Sequence, residues 1–202
     1  MRVLLIRHGE SELNTRTDLV GGFSPQTPLT PTGEAQARAL GEYLAREGIK
    51  IDLAYASTAV RARETARIAL AAIGHGEPRI DPRLAELGQG VWEGRLRVEC
   101  YTEAVRAEIK AQGKHFKLEG GESMIEVAAR MRAWHRDAMA EPATTIAMFG
   151  HGLAIRCLLG DLFEWDHATT YGTPTPNTSI SKITRGPDDA WTLVDVGATP
   201  HL

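Results

Sequence analysis

The sequence predicts an α/β fold, a three-layer α/β/α sandwich around a mainly parallel central sheet with an antiparallel edge strand. Three observations predict it. Short, wholly apolar runs alternate with helical patterns through most of the chain, which is how parallel sheets are built. The clearest of these runs lacks the in–out alternation of a one-sided sheet, so it is expected to be covered on both faces. The chain closes on two strand-like segments around Gly186-Pro187-Asp188-Asp189, which has hairpin-turn composition.

Each element follows in order. Val3-Leu4-Leu5-Ile6 is the first buried strand, and a polar Gly/Pro-rich loop covers about 21–28. Thr30-Pro31, with Glu34 in the first turn, opens a helix that carries Ala37, Leu40 and Leu44 on one face and stops near Gly48. Leu53 to Ala56 is the second strand, and Ser57 is expected to cap a helix running to about Gly74. Residues 79–94 read as irregular. A polar helix is expected near 95–111, followed by a loop holding Gly113, Gly120 and Gly121. Ser123-Met124-Ile125-Glu126 is a capping box, and Met124, Val127, Ala128, Met131 and His135 recur behind it at helical spacing to about Ala140. Thr144 to Phe149 reads as a strand, Leu153 to Leu162 as an apolar helix, and 179–184 and 191–196 as the closing strands.

The 202 residues, 22.0 kDa, suit one globular domain over 1–202, with a variable segment at about 95–119 expected to cover the substrate. A chain of this size buries roughly 70% of its unfolded surface, so no disulfide or metal staple is needed. At 43% apolar and 24% charged it is neither disordered nor coiled coil. A net charge of −3 gives no basic field for nucleic acid or an anionic membrane. Cys100 and Cys157 lie far apart and read as buried thiols of a reducing compartment. With no signal-like or membrane-length apolar run, a cytoplasmic location is expected.

Open α/β sheets bind ligands beyond the carboxyl ends of their strands. Three strands end in unusual chemistry: the first in Arg7-His8-Gly9-Glu10, the second in Ser57 with Arg61 one helical turn later, and the 144–149 strand in Gly150-His151-Gly152. If the three are parallel, two arginines and two histidines converge beside the N-termini of the helices that follow. Those N-termini add free amides and positive dipole ends. Glycine after His8 and on both sides of His151 lets a tetrahedral oxyanion approach the backbone. The constellation describes a phosphate pocket.

At these residues the chain resembles the histidine phosphatase superfamily, which includes the phosphoglycerate mutases. Arg7-His8-Gly9-Glu10 is similar to its signature, with Asn14 at the usual downstream Asn. Leu29-Thr30-x-x-Gly33-x-x-Gln36-Ala37 and Ser57-x-x-x-Arg61-Ala62-x-x-Thr65-Ala66 resemble its next two segments. Leu84-x-Glu86 with Gly90-x-Trp92-Glu93-Gly94 resembles the acid-bearing segment, and Gly120-Gly121-Glu122-Ser123 and Gly150-His151-Gly152 complete the order.

The resemblance implies a phosphomonoester hydrolase that works through a phosphohistidine on a small phosphorylated metabolite. His8 would be the nucleophile, and Arg7, Arg61 and His151 would hold the phosphoryl oxygens together with Asn14 and Gly152. Glu86 would protonate the leaving alkoxide and then activate water, with Glu10, Glu93 and Glu122 as the alternatives in neighbouring segments. The arginines would supply the charge that Mg²⁺ supplies elsewhere, so no metal and no cofactor is implied. His8 and His151 as metal ligands is the alternative, but no H-x-H, H-E-x-x-H or Cys partner accompanies them. Phosphoglycerate mutase-type transfer is the alternative reaction. The cofactor-dependent mutases carry extra length and a Glu-Arg-His-Tyr-Gly run, whereas this chain reads Glu86-Leu87-Gly88-Gln89-Gly90. A catalytically silent phosphate-binding module is a further alternative, although the four residues whose loss would mark one are all present.

The expected partner is a small phosphorylated substrate, with no nucleic acid and no membrane; a homodimer is left open. Lys110, Lys114, His115 and Lys117 in the insert would favour a second acidic group on the substrate, or would be solvated. His75, His115, His135 and His201 read as loop or packing residues, and His167 reads either way. Asn177-Thr178-Ser179 has the form of a glycosylation acceptor, with nothing pointing to secretion.

Overall fold

The computed structural model describes residues 1–202. Its strands are β1 (Arg2–Arg7), β2 (Leu53–Ala56), β3 (Arg79–Ile80), β4 (Thr145–Gly150), β5 (Ile180–Arg185) and β6 (Trp191–Ala198). They form one sheet in the order β3-β2-β4-β1-β5-β6. The first four are mutually parallel, and β5 and β6 run antiparallel at one edge, as expected from the hairpin composition.

The apolar run in β1 is covered on both faces, as its sequence requires. Val3 and Leu5 pack into the core beneath α6 (Met124–Ala138) and α7 (Gly152–Leu162). Leu4 and Ile6 point the other way, into the core beneath α2 (Pro31–Arg46) and α3 (Val60–Ala71). Thr30 caps α2 through Gly33 N, and Ser123 and Glu126 form the capping box of α6. The helices α2 and α3 touch at Gly41, where a Cβ would stand 2.8 Å from Ala69 O.

Five elements depart from expectation. The helix after β2 starts at Val60 rather than at Ser57, because its N-cap is Ala59 and the Ser57 hydroxyl is engaged elsewhere. The polar helix at 95–111 is two, α4 (Arg97–Cys100) and α5 (Glu103–Gln112), broken at Tyr101 because Thr102 caps a new helix through Val105 N. Two short helices, α1 (Glu12–Thr15) and α8 (His167–Gly172), and the two-residue strand β3 lie where the sequence carries no periodic pattern. Both cysteines are free and buried.

Strand register sets the site. Arg7 of β1 pairs with Gly150 of β4, and Ala56 of β2 pairs with Phe149. The residues that follow, His8, Ser57 and His151, therefore leave the sheet level with one another at its carboxyl edge.

Candidate active site

The His8 backbone is held at every polar atom. Its N–H donates to Gly150 O (2.9 Å), and its carbonyl accepts from Asn177 Nδ2 (3.1 Å) and Thr178 N (3.2 Å). Gly9 N donates to Thr65 Oγ1 (3.0 Å). This loop crosses the start of α2 so closely that a Cβ on Gly9 would stand 2.5 Å from Gly33 O. Glycine at both positions permits the crossing.

The imidazole itself is ordered by one short bond. His8 Nδ1 donates to Gly9 O at 2.6 Å, which fixes the proton there and leaves Nε2 as the lone-pair nitrogen. Arg61 Nε donates to that Nε2 at 3.2 Å. Burial, and then the charges of Arg61 and Arg7, hold the His8 pKa well below its ordinary 6.5, so the ring is neutral at physiological pH.

His151 is fully buried beside it, the two ring centroids 5.1 Å apart. Arg61 Nη2 donates to His151 Nδ1 (3.2 Å), and His151 Nε2 donates to Ser57 Oγ (2.9 Å). Burial, with Arg61 next, keeps this ring neutral too. Arg61 thus bridges both histidines, and its remaining N–H groups reach Ser24 O (2.7 Å) and the carbonyls of Gly22 and Phe23. Arg7 is less committed. One Nη donates to Thr175 O (2.7 Å), while its buried Nε has no partner.

In front of these groups lies a cavity of 430 Å³ whose wall includes Arg7, His8, Asn14, Arg61 and Glu86. His151 and Gly152 stand just behind that wall; a Cβ on Gly152 would meet Arg7 Cδ at 3.4 Å. Asn14 turns its Oδ1 toward Ser11 N (3.0 Å) and Asn177 Nδ2 (3.2 Å). Glu86 is the one carboxylate on the wall. It is held at the N-terminus of α7, accepting from Ala154 N (3.0 Å), Leu153 N (3.2 Å) and its neighbour Leu87 N (2.9 Å).

The alternative acids are engaged elsewhere. Glu10 accepts from Thr30 Oγ1 (2.7 Å), Glu122 forms a forked pair with Arg130, and Glu93 accepts from Phe23 N and Gln89 N (both 3.0 Å). Nor is there a gathering of three His, Cys, Asp or Glu side chains of the kind that holds a metal ion. The cavity wall thus carries one carboxyl group among several guanidinium groups.

Residues 3–199 match the family model of the histidine phosphatase superfamily (branch 1). The chain belongs to this superfamily. Among its relatives, "Probable phosphoglycerate mutase GpmB" of Photorhabdus laumondii is 35% identical over 187 residues, covering 91% of this chain and 84% of the relative. The α-ribazole phosphatase of Shigella flexneri superposes with a TM-score of 0.83 at 26% identity, covering 98% of this chain and 97% of that one. A mycobacterial glucosyl-3-phosphoglycerate phosphatase gives 0.83 at 25%, covering 98% and 99%. These two solved neighbours carry phosphatase names, whereas the sequence relative carries the mutase name.

Around this superfamily pocket stand residues that the sequence did not single out. Arg97, from the insert, lines the cavity with no acidic partner and lies 4.9 Å over the Tyr101 ring. Lys114 donates instead to Trp165 O, Lys117 pairs with Glu126 (2.7 Å), and Lys110 is exposed; none of the three lines the cavity in front of His8. His167 stacks on Tyr171 in an adjoining apolar cavity. Asn177 faces inward to His8 rather than outward as a glycosylation site would. Ser57 and Thr65 flank Arg61 at four-residue spacing, a signal readable as one helical face had the helix begun at Ser57.

Proposed function

We propose that this protein hydrolyses phosphomonoesters through a phosphohistidine on His8. The observation that carries the reading is the single fixed tautomer of a neutral His8, whose unprotonated Nε2, capped only by Arg61, borders a cavity with two deep arginines and one carboxyl group. An arriving phosphate dianion takes over the N–H groups of Arg7 and the Nε and Nη2 of Arg61, which uncaps His8 Nε2. His8 Nε2 attacks phosphorus, the P–O bond to the alcohol breaks, and Glu86 gives its proton to the departing oxygen. Water then attacks the phosphohistidine as Glu86 takes its proton. The P–N bond breaks with its electron pair returning to Nε2, and inorganic phosphate leaves.

His151 has a second task once Arg61 turns to phosphate. A serine hydroxyl donates as readily as it accepts. With Ser57 Oγ donating to Nε2, His151 carries its proton on Nδ1 and donates to a phosphoryl oxygen. The arginines supply the charge compensation, so the reaction proceeds without metal.

Arg97 supports a finer reading of the substrate. A guanidinium stacked on an aromatic ring presents its N–H edge, which suits a carboxylate or second phosphate. The substrate is therefore a small phosphomonoester with a second anionic group, a class that includes phosphoglycerate-like esters. The test is a phosphate-release screen over metabolite monoesters, run beside an assay for interconversion of 2- and 3-phosphoglycerate. Release from esters that carry a second anionic group, with KM raised about tenfold or more in Arg97→Ala and unchanged for an aryl phosphate without one, supports the reading. Isomerisation outrunning release overturns it in favour of a mutase.

A further inference from the structure

Thr178 is the one β-branched residue with a left-handed backbone, at φ +55°. Glycine or asparagine occupies this region at little cost; a β-branched side chain does so only under strain, and strain kept at a site invites a functional account. The other three non-glycine residues of positive φ are Ser24, Glu164 and Asp189, and none of them touches a catalytic histidine.

Two features set Thr178 apart. Its N–H, with Asn177 Nδ2, supplies both hydrogen bonds to the His8 carbonyl. Its buried hydroxyl is doubly used: Oγ1 donates to Asn177 O (2.8 Å) and accepts from His201 Nε2 (2.8 Å). His201 Nδ1 is buried and has no partner, which matches a ring that donates only through Nε2. A chain of bonds thus runs from His201 through the Thr178 hydroxyl to the Asn177–Thr178 turn and on to the His8 carbonyl. The next carbonyl, Gly9 O, selects the His8 tautomer. The same Asn177 amide reaches Asn14 Oδ1 on the cavity wall.

We infer that Thr178 and His201 are positioning residues for the nucleophile: the hydroxyl of Thr178, steadied by His201, holds the turn that fixes the His8–Gly9 peptide and so aims Nε2. The strained backbone is retained because the position needs a hydroxyl, which glycine lacks. This inference rests on the proposed role of His8 as the nucleophile.

The experiment compares Thr178→Val, which keeps the branched shape and loses the hydroxyl, with Thr178→Ser, which keeps the hydroxyl, and with His201→Phe, which keeps a ring beside Tyr43 without the donor. The readout is single-turnover phosphoenzyme formation and the kcat-against-KM split on a generic aryl phosphate, well below each variant's Tm. Thr178→Val is expected to lower kcat about ten- to a hundredfold with KM nearly unchanged, since Arg7 and Arg61 are untouched. Thr178→Ser restores most of the rate, and His201→Phe shows a smaller loss of the same kind. Adding His201→Phe to Thr178→Val costs nothing more, because both act through one hydroxyl. Should Thr178→Val fail to fold, His201→Phe with unchanged kcat still overturns the inference. A lowered Tm with full kcat in Thr178→Val overturns it as well, whereas wild-type protein that forms no phosphohistidine overturns the underlying reading instead.

Discussion

Arg61 Nε lies 3.2 Å from His8 Nε2 and donates its proton to the nitrogen that would attack phosphorus. On the proposed reading, the free protein stores its nucleophile behind the group that would bind the substrate. A phosphate dianion would exchange that bond for its own with the same guanidinium, so binding and uncapping would become one event. Arg61 also ties the Gly22–Ser24 carbonyls to the site, which links the loop to the same exchange.

Replacing Arg61 by Lys keeps a charge but cannot bridge two imidazoles and a loop. Arg61→Lys is expected to lower kcat/KM by about 10²- to 10³-fold on any monoester. NMR titration of Arg61→Gln is expected to find the His8 pKa moved up toward the ordinary histidine value, because one of its depressing charges is gone. Desolvation, the larger cause, remains. An unmoved His8 titration would count against this electrostatic account.

Glu86 is separated from the other carboxylates by its place on the cavity wall, and the leaving group tests its role. Glu86→Gln is expected to slow phosphoenzyme formation about 10²- to 10⁴-fold with alkyl phosphates. With p-nitrophenyl phosphate, whose phenolate leaves without protonation, the loss in that step is expected to be small. Equal losses on both substrates would remove Glu86 from the role of acid.

Much of this was legible in sequence because the chemistry sits on strand ends. Arg7-His8 and Gly150-His151 follow directly from buried apolar runs, so a parallel sheet brings them together whatever the loops do. Ser57 was legible as a residue but not as a contact. Its place before a helix favours capping, and only the β2–β4 register reveals His151 as a better partner. Arg97 and Asn177 were illegible for a different reason: one opens the four-residue helix α4 and the other lies in a turn, and long-range packing sets where both segments sit. The insert's lysines were equally visible, yet the structure turns them to Trp165, Glu126 and solvent.

Ser57→Ala leaves a buried His151 N–H without a partner, which costs about 1–3 kcal/mol of stability. Turnover is expected to fall about ten- to a hundredfold as His151 loses its orientation. Chemical denaturation with parallel steady-state kinetics checks both. Unchanged values would mean that the Ser57–His151 bond is dispensable.

His135 supplies a pH test away from the site. It packs 4.8 Å from the Trp191 ring centroid, its Nε2 buried without a partner, and burial, with Arg132 and Arg185 nearby, lowers its pKa to about 4. The unfolded chain takes up the proton near 6.5, before the folded protein does. The contribution is therefore full above pH 6.5 and is lost progressively as pH falls toward 4, a change of about 3 kcal/mol. His135→Phe is expected to flatten part of the stability loss between pH 6.5 and 4 in denaturant melts, with His8, His151, His201 and the carboxylates of lowered pKa contributing to the rest. An identical pH slope in this variant would contradict the assignment.

The central claim is tested most directly by rapid-quench labelling with a ³²P-phosphomonoester in the presence of chelator. Wild-type protein is expected to yield an acid-labile, base-stable label that maps to the His8 peptide, and His8→Ala is expected to yield none. A label that persists in His8→Ala, or wild-type turnover that disappears on chelation, would contradict the account.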